Sequence, residues 1–213
     1  VVFGRVAKLP SEGTVPYPIM VFSALLPWQY FANAMSQSSG AVVKSSNMVS
    51  KIYFPRIILP TSAVIVNVVD FLISFVLLCL LMVIYKFVPS WTMLLLPVFF
   101  LSATITALGI GYWFASLNVK YRDFQHIMPF IIQFGLYVSP VGFSSSVIPA
   151  RWRLVYSLNP MVGVIDGFRW CIQGTAESLY PPAFVISLVT SAIVFWLGVK
   201  FFLKTEKTFA DFI

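Results

Sequence analysis

Charge is scarce in this sequence. Of its 213 residues only 10% are Asp, Glu, Lys or Arg, while 59% are hydrophobic and the mean hydropathy is +0.90. A soluble domain carries about 25% charged residues. So few polar groups cannot cover a globular surface, so bilayer lipid must cover much of it. Histidine is nearly absent: His126 is the sole one, and with two cysteines there is no Cys/His cluster to hold zinc. Cys79 lies in an apolar run and Cys171 in a polar segment, so a disulfide is not expected. No G-x-x-x-x-G-K-[ST] occurs, so the chain is not its own ATPase. No G-x-S-x-G or H-E-x-x-H occurs either. No bound cofactor and no metal are therefore expected. The net charge of +7 is spread over short loops, without an arginine-rich helix or a basic patch interleaved with aromatics. That pattern fits anionic lipid headgroups and membrane topology, not nucleic acid. Also lacking are a starting Met, a basic start region and a cleavage site, so Val1 reads as the start of a fragment rather than of a signal peptide. There is no internal repeat and no inverted pair of broken helices of the kind many secondary carriers show.

Long apolar runs are what the chain has. A crossing needs about 20 mostly apolar residues. The sequence predicts an all-α polytopic fold in one domain, residues 1–213, with five complete crossings near 17–43, 57–85, 91–117, 127–143 and 183–203. Residues 1–7 read as the end of a truncated first crossing.

The stretch 43–60, VKSSNMVSKIYFPRIILP, organises the rest. It joins two apolar runs and carries Lys44, Lys51 and Arg56 with no acid, so the positive-inside rule assigns it to the cytoplasm. Its middle, 46–54, is patterned as a short helix containing Ser46, Asn47, Met48, Val49, Lys51, Ile52, Tyr53 and Phe54. Ser45 or Ser46 is the expected cap, Met48 and Ile52 share a face, and Pro55 is the expected terminator. The same rule sends the turn with Lys120 and Arg122, and the C-terminus after Lys200, Lys204 and Lys207, to the cytoplasm.

Residues 144–182 are too polar and broken to cross. Two short helices are predicted there, 149–157 and 160–173, the second capped by Asn159, begun by Pro160 and stopped by Gly174. They read as interfacial or re-entrant helices on the outer side.

Several residues invite a functional reading. Asp70 sits in mid-crossing, where an acid is costly. It is either an ion or proton site or, as favoured here, an acid buried in a helix interface. Among the many aromatics, Trp28, Tyr30, Phe31, Tyr137 and Phe143 are the candidates to line a channel, because they flank helix breakers and polar side chains. Gln29, Asn33 and Gln37 interrupt the first complete crossing, so one of its faces should meet protein or water. An ion-coupled carrier using Asp70, or an envelope-synthesis protein using Asp70 and Asp166, are the alternative readings.

Four pieces in order carry a family likeness: residues 8–34, KLPSEGTVPYPIMVFSALLPWQYFANA; the segment from Ser45 containing KIYFPRIILP; residues 118–144, NVKYRDFQHIMPFIIQFGLYVSPVGFS; and YSLNPMVGVIDGFRW. Together they resemble the permease subunits of ATP-binding-cassette exporters for O-antigen, capsule and teichoic-acid polymers. The resemblance implies a homodimer in the cytoplasmic membrane of a bacterium, working with two copies of a separate ATPase that uses the ATP, on a lipid-linked polysaccharide. It implies that 46–54 is the coupling helix that docks into that ATPase. It also implies that Arg151, Trp152, Asn159, Pro160, Phe168 and Arg169 belong to an external gate. The family's amphipathic amino-terminal helix and most of its first crossing have no counterpart in the sequence.

Overall fold

The computed structural model describes residues 15–52, 54–121, 123–143, 145–174, 181–207 and 209. The expected end of a first crossing, residues 1–7, lies outside them. The described chain is all-helical: α1 (Tyr17–Lys44), α2 (Ser46–Lys51), α3 (Ile58–Ile84), α4 (Leu96–Lys120), α5 (Phe124–Val138), α6 (Ala150–Tyr156), α7 (Pro160–Gln173) and α8 (Pro181–Glu206). A short 3-10 turn, Trp91–Leu95, leads into α4. Among the described residues three helices are long and apolar enough to cross a membrane: Ile58–Ile84, Trp91–Lys120 and Pro181–Glu206. α1 has the length, at 28 residues, but its polar residues lower its hydropathy.

α1 lies at the centre. It packs along α3 and α4, and α4 packs in turn along α8. Small and hydroxylated residues make these close approaches. Gly109 of α4 meets the α8 backbone at Val194 and Phe195, and Gly198 of α8 meets the Gly109 carbonyl. Thr106 donates to Ser191 Oγ at 2.9 Å, and Ser191 in turn to the Ser187 carbonyl at 2.7 Å. Such contacts suit helices that associate in lipid, where packing and hydrogen bonds replace the hydrophobic drive.

Several boundaries differ from the sequence reading. α4 continues to Lys120 rather than 117, because Asn118 is buried and donates to the Ser39 carbonyl at 3.1 Å. α5 begins at Phe124 and ends at Val138, five residues short of the expected 143. Ser139 precedes Pro140 and is extended, at φ −92 and ψ 151, as the proline ring requires of its neighbour. Fifteen residues at 1.5 Å rise give about 22 Å, less than the roughly 30 Å hydrocarbon layer. α7 has the expected ends: Asn159 Oδ1 accepts from the Met161 amide at 3.1 Å, and Gly174 takes φ +70 at the stop.

The two short helices α6 and α7 differ in kind. α6 is largely exposed, whereas α7 is buried on nearly every side, from Met161 to Ile172. The C-terminal end of α7 meets the α3–α4 turn, where the Ser90 amide donates to the Ile172 carbonyl. Its N-terminal part lies along α8, where the Gly163 amide donates to Ser187 Oγ.

Candidate functional site

The first candidate site is the end of the molecule that holds α2. This helix has six residues, three fewer than expected. The Ile52 amide donates to the Met48 carbonyl, and Ile52 itself is extended at φ −128 and ψ 132. Pro55 is therefore not the terminator. Phe54 leaves the helical path and packs on an apolar cluster instead. No side-chain cap forms at Ser45. Tyr53 lies outside the described residues.

The cluster under α2 joins four elements. Val49, Val42 of α1, Tyr112, Ala115 and Val119 of α4, and Phe202 of α8 are buried together with Phe209. Val49 is thus the foot of α2. Met48 and Ile52 stand out from the surface, 48% and 61% exposed, and Asn47 and Lys51 are exposed beside them, with Ser46 half-buried. A second tie lies next to this cluster. The Arg56 amide donates to the Glu206 carboxylate at 3.0 Å, the Arg56 guanidinium donates to the Glu206 carbonyl, and it also lies 6.0 Å from the centre of the Phe209 ring. Sequence reasoning missed Glu206 and Phe209. The available signal was a lone acid among Lys200, Lys204 and Lys207.

The second candidate site is the open side of α1. Tyr30 is not on it. Tyr30 is 3% exposed, meets the Phe71 ring edge-on and the Phe100 ring at a tilt, and shares a 3.0 Å hydrogen bond with Thr104. It fastens α1 to α3 and α4, so within the subunit it is a core residue rather than a lining one. Trp28 and Phe31 are also buried, and they line a cavity of about 320 Å³ behind α5, with Trp113 and Asn159 on its other walls. Tyr137 stands out at 71% exposure, in line with Phe134 and Phe130 at 72% each, one and two turns earlier on α5. That i, i+4, i+7 spacing makes one aromatic stripe, legible in the sequence but not singled out there. Phe143 is half-buried, and its carbonyl accepts from Arg169.

Asp70 corrects the favoured reading. It is not buried in a helix interface but exposed on α3, beside the exposed Val66, Val69 and Ile73. Asp166, its companion in the envelope-synthesis alternative, is instead buried in α7. The two acids do not form one site.

At the end away from α2, Arg169 is 1% exposed and donates to the Phe143 and Val141 carbonyls at 2.7 and 2.9 Å. It ties the segment after α5 to α7. Phe168 is fully buried beside it and meets Phe71 edge-on. Asn159 caps α7 and donates to Ser139 Oγ at 3.0 Å, while Pro160 starts the helix. Arg151 and Trp152 are exposed on α6, the guanidinium 5.8 Å from the ring centre. Burial, and then the negative charge of Asp166, push the Tyr156 hydroxyl well above its ordinary range, with Arg169 opposing.

The geometry is that of a membrane subunit with an exposed apolar knob at one end, a tied-down hairpin at the other, and an aromatic stripe between. Residues 1–172 match the family described as ABC-2 type transporter. The O-antigen export system permease protein RfbA of Myxococcus xanthus is 28% identical over 199 residues, covering 92% of this chain and 76% of that protein. A protein of the same name from Klebsiella pneumoniae is 25% identical over 209 residues, covering 97% of this chain and 80% of its own length. The family match extends over most of the chain, and the protein belongs to the ABC-2 type transporter family.

Proposed function

We propose that this chain is the membrane-spanning half of an ATP-driven exporter that moves a lipid-linked polysaccharide outward across the inner membrane of a bacterium. Two copies form the translocation path, and two copies of a separate ATPase subunit drive it. α1, α3, α4, α5 and α8 are its five crossings. α1 qualifies because it packs along both α3 and α4, antiparallel to α3 and parallel to α4, and α5 by joining the far end of α4 to the α6–α7 hairpin. The C-terminus is cytoplasmic, on the same side as α2. The α6–α7 hairpin re-enters from the outside and gates the exit.

The observation that carries this reading is the form of α2. A six-residue helix and the residue that ends it turn Met48 and Ile52 outward, away from the protein, in a chain with no nucleotide-binding motif. Its foot, Val49, rests where the ends of α1, α4 and α8 meet. A partner that gripped Met48 and Ile52 would therefore move three crossings at once. The names of the relatives support a glycan polymer as cargo. The exposed Phe130, Phe134 and Tyr137 suit it, since aromatic faces stack on sugar rings and weak repeated contacts let a long chain keep moving.

The test is co-purification from the source membrane in mild detergent. The expected result is an ATP-hydrolysing subunit at one copy per permease, lost in Met48→Asp and Ile52→Asp while the permease stays in the membrane. A permease that exports polymer with no ATPase attached, or an attachment indifferent to both substitutions, would overturn the reading.

A further inference from the structure

Three amides, Gln29, Asn33 and Gln37, stand at i, i+4 and i+8 on α1, a helix otherwise packed on its neighbours. Gln29 and Gln37 are exposed and Asn33 is half-exposed. Gln29 donates to Asn33 Oδ1 at 3.1 Å, and Gln37 donates to Asn67 Oδ1 of α3 at 3.3 Å. These two bonds use one amide group of each pair and leave further donors and acceptors facing outward.

The side on which they lie follows from helix geometry. Tyr30 points to α3, where it meets Phe71, and Trp28 points to α5, where it abuts Gly135. At about 100° per residue, Gln29 and Asn33 fall on the arc between those two directions. That arc is open. Its flanks are α3 on one side and α5, with its exposed aromatic stripe, on the other.

Register adds Asp70. α1 and α3 are antiparallel. The Gln37–Asn67 bond and the Tyr30–Phe71 ring contact fix their alignment at two points. Between them, Asn33 is four residues from Gln37, and Asp70 is three from Asn67. At 1.5 Å per residue the two lie at nearly the same depth, within about 3 Å from either point. Asp70 lies on the exposed surface of α3, and no hydrogen bond or ion pair engages it among the described residues. The depth is near the middle of α3, where lipid is the poorest solvent for amides and for a carboxyl.

From this juxtaposition we propose that Gln29, Asn33 and Asp70 form a hydrated polar wall of the translocation path, which hydrogen-bonds the hydroxyl groups of the passing glycan. The aromatic stripe of α5 supplies stacking and this wall supplies hydrogen bonds. The two together match the two kinds of surface on a sugar. The glycan part of the proposal rests on the exporter reading; the hydration part does not.

The experiment uses the full transporter in cells, with Cys79 and Cys171 replaced by Ser. Single cysteines are placed at Gln29, Asn33 and Asp70, with controls at Val69 and Val76 on the apolar side of α3. The probe is a water-soluble maleimide, which reacts with a thiolate and therefore needs water at the thiol. The three wall positions should label at least about tenfold faster than the controls. In the native background, Asn33→Leu and Gln29→Leu should slow polymer export at least about tenfold while retaining the ATPase, and Asn33→Gln should recover most of the rate. Labelling as slow as the controls would overturn the proposal, because the face would then be covered by a helix or by lipid. Fast labelling with full export in both Leu variants would also overturn it. If deleting the gene leaves no polymer inside the cell, the exporter reading fails, and the labelling still reports whether the wall is wet.

Discussion

Replacing Gly198 by Ala tests whether α4 and α8 are held as close as the structure has them. A methyl group at Gly198 would lie 2.1 Å from the Gly109 carbonyl oxygen and 2.8 Å from its carbon, whereas real Cβ contacts essentially never fall below 3.0 Å. The obstacle is backbone, which cannot swing aside as a side chain does. The two helices must part by about 1 Å, a gap that forfeits a quarter to a half of the dispersion energy along the seam. The same parting stretches the Thr106–Ser191 bond of 2.9 Å. Overpacking of this kind costs up to about 3 kcal/mol, and the better helix propensity of Ala returns about 1, leaving a net loss near 2 kcal/mol. For a chain of this size that is a fall of about 4–8 °C in melting temperature. The assay is thermal unfolding of the purified protein in mild detergent. Gly142→Ala is the control, because a methyl there meets nothing within 4 Å. It should change stability by less than about 0.5 kcal/mol. A Gly198→Ala protein that melts within about 1 °C of the parent would refute the close-packed seam.

Arg169→Met should loosen the α6–α7 hairpin by about 2–4 kcal/mol, because the Val141 and Phe143 carbonyls lose a buried charged donor. Faster proteolysis between residues 139 and 149 is the readout, and unchanged proteolysis would count against the tie. Tyr156 gives a pH dependence whose sign is fixed by its raised titration point. The folded protein holds this proton more tightly than the unfolded chain, so its contribution is complete below about pH 10 and is lost as pH rises beyond it. Tyr156→Phe should flatten the alkaline arm of the stability profile. Burial pushes the Cys171 thiol up to about 12, so at pH 8 the native protein should leave Cys171 unlabelled by maleimide. Glu206→Ala removes the carboxylate that holds the Arg56 amide, and should uncouple ATP hydrolysis from export without releasing the ATPase, measured as hydrolysis retained with export reduced at least about tenfold.

What is legible in the sequence divides along physical lines. Lipid-exposed helices announce themselves by apolar length, so the apolar spans 58–84, 91–120 and 181–206 are readable to within about three residues. α7 is readable because its ends depend on local chemistry, an Asn cap, Pro at the first turn and an αL glycine. Where tertiary contacts decide, sequence pattern misleads. α2 stops early where Phe54 packs on the apolar cluster that α1, α4 and α8 build, a tertiary contact that the local pattern does not show. Tyr30 resembles a lining residue because Gln29 and Asn33 flank it, yet a helix turns by about 100° per residue, which sends Tyr30 inward and the amides outward. The general cost of an acid in lipid argues for a buried Asp70, and the structure puts it on an open face level with Asn33 instead.

The most direct test of the account is a photo-crosslinking amino acid placed at Ile52 in the full transporter. Val88, 85% exposed at the opposite end after α3, serves as the control. The account predicts a crosslinked product between this chain and an ATP-hydrolysing subunit from position 52 and none from position 88. No product from 52, or equal products from both positions, would contradict the claim that α2 is where the energy of ATP enters the membrane subunit.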